Sequence, residues 1–230
     1  MSRKRFLARG MVVVGLLLAF AGIAGAASGS GVTVRVEGLT KTLLAQTVVH
    51  THSGWLTRDG APTGKCPTAS AAGALDAATK HGWVGKWDAG VGDYEITSIR
   101  GERHPFTSKD HWEIFVNDVS ASKRACELSL RPGEQLLFAA VPDKGTEYPL
   151  AIQAPSSAKV GHAFNVTVVW YSAKGKPKPL AGATVSVAGH SGTTNSHGVI
   201  PLTGSHAGTF TLEAQHAGYI RAAPVTVHLS

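Results

Sequence analysis

Three carboxylates, Asp88, Asp93 and Glu95, lie close together in the chain and share their stretch with Trp83, Trp87 and Tyr94. Two acids flanking a sugar, one as general acid and one as nucleophile or base, are the working parts of a glycosidase. Asp93 and Glu95 are two apart and would share one face of a strand. They would serve as such a pair only across a cleft, and carboxylates on a solvated strand edge are the competing reading. The rings are interleaved with Gly82, Gly85, Gly90 and Gly92, and Trp55 also stands in glycine- and proline-punctuated sequence. Aromatic rings on such loops supply apolar area with little entropy to lose, and can stack on flat ligands or sugars. Trp55, Trp83, Trp87 and Tyr94 are therefore the candidate ligand-binding residues. The alternative for them is structural, closing the open end of a small core, because tryptophan is usually largely buried.

Other chemistries find less in the sequence. His50 and His52 would project from one face of an extended chain, but a zinc site needs three or four ligands and no third is identifiable nearby. No metal and no cofactor are assigned. Gly189, His190, Ser191 and Gly192 superficially resemble a hydrolase elbow, yet position 193 is Thr and both flanks read as β, whereas the elbow needs G-x-S-x-G at a strand-to-helix turn. The triplet of Asn165, Val166 and Thr167 matches a glycosylation acceptor but falls in a predicted strand. No coherent catalytic set emerges, and the chain is read as a non-enzyme. Cys66 and Cys126 are the chain's two cysteines and form no C-x-x-C motif. In an oxidising compartment they are expected to pair, closing a loop of about 60 residues and stabilising the fold by about 4 kcal/mol.

These residues need elements to hold them. The organising stretch runs from His111 to Val141. Trp112, Ile114 and Val116 alternate with Glu113, Phe115 and Asn117 as in a strand, and Leu136, Leu137 and Phe138 form a second apolar run after the turn at Pro132 and Gly133. Upstream, Val32, Val34 and Val36 predict a strand, and Leu43 to Val49 its hairpin partner. Ala71, Ala74, Leu75 and Ala78 form one helical face, capped by Thr68 or Ser70 and stopped at Gly82. Hairpin, helix and further strands are the order of an α+β, β-grasp-like domain over residues 31–142. After a linker at 143–148 the pattern becomes all-β: short alternating strands separated by turns predict an immunoglobulin-like sandwich over residues 149–230.

The motifs GVTVRVEGLTKTLL, AAGALDAA, GDYEITSIRGE, HWEIFVND and LRPGEQLLFA, in that order, resemble the secreted domain family related to the C-terminal domain of transcobalamin and intrinsic factor. The resemblance spans Gly31 to Pro142. In the vitamin carriers this domain closes over cobalamin held by a helical barrel; no such barrel is present in this sequence, so the resemblance implies the fold more than the ligand. The segments LAGATVSVAG, TTNSHGVIPLT and AGTFTLEAQHAGYI resemble bacterial immunoglobulin-like and carboxypeptidase-regulatory-like repeats, which are spacers and binding modules of secreted proteins.

Residues 1–26 carry Arg3, Lys4, Arg5 and Arg9, then an apolar core and a small-residue A-x-A site, the order of a secretory signal peptide. An uncleaved anchor is the alternative, and the membrane is a partner only in that case. The chain carries 22 basic and 15 acidic residues, net +7. Without those four positives the mature chain has 18 against 15, or +3, with no clustered basic face of the kind nucleic acid requires. The expectation is a secreted or cell-surface, non-enzymatic binding protein for an unknown small molecule or cell-surface component. A flat ligand such as a corrinoid is implied by the resemblance alone. The alternative is a secreted polysaccharide-active hydrolase using the carboxylates near Trp83 and Trp87.

Overall fold

The computed structural model describes residues 31–143 and 147–230; the candidate signal segment and part of the expected linker lie outside the described residues. The fold is predominantly β, and among the described residues one α-helix stands against several sheets. No helix among the described residues is long and apolar enough to cross a membrane.

Strand β1 (Val32–Glu37) and strand β2 (Thr42–Val49) form the predicted antiparallel hairpin. The helix α1 (Ala71–Thr79) is capped by Ser70, whose Oγ accepts from the N–H of Gly73. It ends earlier than the sequence suggests: Lys80 adopts the left-handed conformation, and Lys80 and His81 return their N–H groups to Ala77 and Asp76. The stop is therefore made before Gly82. Gly73 has a packing reason, since a Cβ there would sit 2.2 Å from the carbonyl oxygen of Thr68.

Strands β3 (Trp83–Asp88), β4 (Asp93–Ile99) and β5 (Glu102–Arg103) make a small antiparallel sheet in that order. Trp83 and Trp87 thus lie on a strand, not in the glycine-punctuated loop expected for them. The physical reason is visible in the period: Trp83, Gly85 and Trp87 are two apart and turn inward, while Val84, Lys86 and Asp88 turn out. Gly85 sits at a register shift, packed under the Trp83 ring, and only Gly90 and Gly92 belong to the turn.

Strands β6 (Asp110–Val116), β7 (Val119–Ser120) and β8 (Gln135–Pro142) complete a five-stranded sheet of order β2-β1-β8-β6-β7. Its central pair, β1 and β8, is parallel, with Val34 opposite Leu136 and Val36 opposite Phe138; every other pair is antiparallel. One face carries Val34, Val36, Leu136 and Phe138 into a core shared with α1 and the small sheet. The other face carries Phe115, Leu137, Ala139 and Val141 against Ile220. Both faces of β8 are covered, which is why its sequence is a continuous apolar run.

The remaining strands are β9 (Tyr148–Gln153), β10 (Ser157–Ala158), β11 (Ala163–Tyr171), β12 (Pro177–Pro179), β13 (Thr184–Val187), β14 (His190–Thr193), β15 (Val199–Thr203), β16 (Gly208–Gln215), β17 (Tyr219–Ile220) and β18 (Val225–Leu229). They form a sandwich-like pair of sheets, β10-β18-β16-β13-β14 and β12-β11-β9-β17, with β15 added to β11. Their shared core includes Leu150, Val166, Val168, Val185, Leu212 and Val227.

A cluster of charges joins the sandwich to the five-stranded sheet. Glu37, 1% exposed, accepts from Arg35 at 2.9 Å and from the Nε of Arg221 at 2.9 Å. Arg221 also donates to the carbonyl of Gly38, and Arg35 donates to the carbonyl of Arg221. Burial pulls the Arg35 pKa down, opposed by Glu37 and Asp118.

Candidate ligand-binding cavity

The small sheet and the five-stranded sheet share a core but do not hydrogen-bond to each other, and a cavity of about 540 Å³ opens between them. Its size falls within the range of about 300–1,000 Å³ that small-molecule sites occupy. Trp112 and Ile114 of β6 and Phe138 of β8 supply one apolar wall. Tyr94 and Ile96 of β4 also line it, with Val91 from the turn before β4. Phe106, 77% exposed, His104, Arg124 and Ala125 belong to the lining as well.

Local structure fixes these groups. His104 donates its backbone N–H to Thr97, and its ring contacts Glu102 at 2.9 Å and packs edge-on against Trp112 with centroids 5.1 Å apart. Burial works against charge at Glu102, but the hydrogen bonds with His104 and from the N–H of Leu39 outweigh it and hold the carboxyl below its ordinary range. Among the described residues, one buried side-chain polar atom has no hydrogen-bond partner: the indole Nε1 of Trp112. A buried donor left unpaired costs about 1–3 kcal/mol.

All three carboxylates singled out in the sequence line this cavity. Asp93 is 1% exposed; it accepts from the N–H of Tyr94 at 2.6 Å and from that of Cys126 at 2.8 Å. Burial pushes its pKa up, and the backbone hydrogen bonds oppose the shift. Asp88 faces Asp93 in the β3–β4 register and accepts from the N–H of Gly90. Glu95 has Lys86 opposite it in the ladder.

The four aromatic candidates are divided by the fold. Tyr94 lines the cavity and donates its hydroxyl to the carbonyl of Arg58; burial pushes its pKa up to about 12. Trp83 is 2% exposed, its Nε1 donates to Asp76 at 2.8 Å, and the Arg58 guanidinium lies over its ring. Trp87 is half-buried, and both tryptophans pack edge-on against Tyr94, at 5.0 and 5.4 Å. Trp55, 49% exposed, bridges to Pro67 and is outside the cavity lining. Trp112, His104 and Phe106 are wall residues that the sequence did not single out for binding. The signal for Trp112 was present, since it alternates in phase with Ile114.

Cys66 and Cys126 are bonded, with Cα atoms 4.8 Å apart. The bond ties the segment before α1 to the segment whose carbonyls at Ala125 and Leu128 accept the N–H groups of Ala72 and Ala71. With the Asp93 bond to the N–H of Cys126, this places Arg124 and Ala125 at the cavity. His50 and His52 are exposed, and among the described residues no three metal-ligating side chains form a group. His190, Ser191 and Gly192 lie within β14, an edge strand, with no helix after it.

No protein-family model and no curated protein matches the sequence. Among solved structures, a likeness is found to the crystal structure of red sea bream transglutaminase, at 19% identity and a TM-score of 0.23. The likeness covers 44% of this chain and spans 17% of the transglutaminase chain, and at that score it carries neither fold nor activity across.

Proposed function

We propose that this is an exported, non-enzymatic binding protein that holds a flat small molecule in the cavity between the small sheet and the five-stranded sheet. The observation that carries the reading is the cavity itself, about 540 Å³, with Ile96, Ile114 and Phe138 and the rings of Tyr94, Phe106 and Trp112 in its lining. Few convergent polar groups in an apolar concavity are the usual make-up of a ligand site. Export is supported by the disulfide, a bond that persists in oxidising compartments, together with the basic, apolar, small-residue order of residues 1–26. The sheet order β2-β1-β8-β6 with its parallel centre supports the β-grasp reading of residues 31–142 and, with it, the resemblance to the transcobalamin-type domain. A separate core in the sandwich supports residues 149–230 as a second, immunoglobulin-like module.

The hydrolase reading draws on Asp88, Asp93 and Glu95 lining one cavity and on the raised pKa of Asp93. Binding is preferred because both oxygens of Asp93 already accept backbone N–H groups, so its chemistry is committed to holding the chain. Incubation with soluble polysaccharides should release no new reducing ends.

The test of the binding reading is titration of the mature protein with three aromatic probes: neutral N-phenyl-1-naphthylamine, anionic 1-anilinonaphthalene-8-sulfonate and cationic proflavine. At least one should bind saturably and one-to-one. An Ile96→Trp variant, which fills the cavity, should lose that binding while keeping a cooperative melt. Saturable binding by none, or undiminished binding by the folded variant, would overturn the reading.

A further inference from the structure

The charges around the cavity suggest what kind of molecule it takes. Asp88, Asp93 and Glu95 are three acidic residues in the lining, against one arginine, Arg124. That guanidinium is itself shared, lying 3.6 Å from Glu127 and donating to the carbonyl of Val91. His104 is engaged by Glu102 and lies 4.0 Å from Asp110, so its surroundings are acidic as well. Lys86 is opposite Glu95 in the ladder. Asp93 is buried, and the hydrogen bonds to its oxygens come from backbone N–H groups and not from a cation. A buried carboxylate without a cationic partner is costly, and a positive charge brought close to it is correspondingly favoured. The rings of Tyr94, Trp112 and Phe106 share the cavity, and aromatic faces also attract cations.

We infer that the cavity selects a flat organic cation, such as a protonated aromatic amine, over neutral or anionic molecules of the same shape. The inference rests on the binding reading above and deepens it. Shape and apolar area would be recognised by Ile96, Ile114 and Phe138. Charge would be recognised by Asp88 and Glu95, while Asp93, its oxygens held by backbone N–H groups, adds only the field of a buried carboxylate.

The experiment compares proflavine, a planar cation, with 1-anilinonaphthalene-8-sulfonate, an aromatic anion, and N-phenyl-1-naphthylamine, its neutral counterpart. Binding is read by dye fluorescence polarisation on the mature chain at low and at moderate ionic strength. Proflavine should bind at least tenfold tighter than either of the others, with the preference narrowing as salt screens the outer carboxylates. A double variant, Asp88→Asn with Glu95→Gln, leaves the Asp93 clamp intact and should reduce the preference to within about threefold, less than half a decade. Equal or tighter binding of the neutral or anionic probe, lost in Ile96→Trp, would overturn the charge inference and leave the cavity as a binding site. An unchanged preference in the double variant would overturn it too. Failure of all three probes to bind would overturn both.

Discussion

At the residue scale the account turns on Trp112. Its unpaired indole N–H is a cost in the free protein. Trp112→Phe keeps a ring on the wall and removes the donor. Melting should therefore show little loss of stability, because the donor removed has no partner to lose. A large drop in melting temperature would contradict this. Glu102 and Asp93 give opposite pH signatures. Glu102 is depressed in the folded state, so its contribution is present above the ordinary carboxylate value, about 4.3, and is lost as pH falls through the folded value. Asp93 is raised, so its charging subtracts stability as pH climbs from the ordinary range through the folded value. Glu102→Gln should cost more in urea denaturation near neutrality, about pH 7, than in acid at about pH 3, and an equal cost at both would refute the assignment. The alternation of HWEIFV made Trp112 and Ile114 legible as one face. The partnership of Trp83 with Asp76 was not legible, because it depends on how α1 lies over β3, which no spacing encodes.

At the scale of elements, the disulfide and the helix start hold the cavity's edge. Replacing Cys66 and Cys126 together with Ser should lower stability by about 4 kcal/mol, the loop-closure value for a separation of about 60 residues. It should also weaken probe binding, since Arg124 and Ala125 belong to the bonded segment. Loss of stability with binding untouched would separate the bond from the site. Gly73→Ala is the sharper test of the helix. Alanine is the better helix former by about 1 kcal/mol, yet a Cβ would press on the carbonyl of Thr68. The variant should melt earlier than the parent, and a stabilised variant would show that the approach of Thr68 does not matter. The helix and the first hairpin were readable from period and caps alone. Strand β3 was masked by glycines that look like loop punctuation, although Gly85 marks a bulge under a tryptophan ring and not a break.

At the scale of the whole molecule, the cluster of Arg35, Glu37 and Arg221 fixes the sandwich to the back of the five-stranded sheet, beside the contact of Ile220 with Phe115 and Leu137. Nothing in the sequence paired residues so far apart: Glu37 reads as a strand-end charge and Arg221 as a loop cation until the two faces meet. Glu37→Ala would leave the buried Arg35 guanidinium and the partly exposed Arg221 without their carboxylate and should cost about 3–5 kcal/mol. Calorimetry should show the parent melting in one transition and the variant in two or at a markedly lower temperature; an unchanged melt would mean that the cluster does not couple the halves. The cavity faces the opposite side of the sheet from this joint, which leaves it open to ligand while the sandwich is anchored. The most direct test of the central claim is an NMR titration of the nitrogen-15-labelled protein with proflavine, following the indole N–H resonances of its five tryptophans. The account predicts a progressive, saturable shift of the Trp112 indole, with Trp170 in the sandwich unmoved. A stationary Trp112 resonance, whether the shifts fall on Trp55 and Trp170 or nowhere, would contradict it.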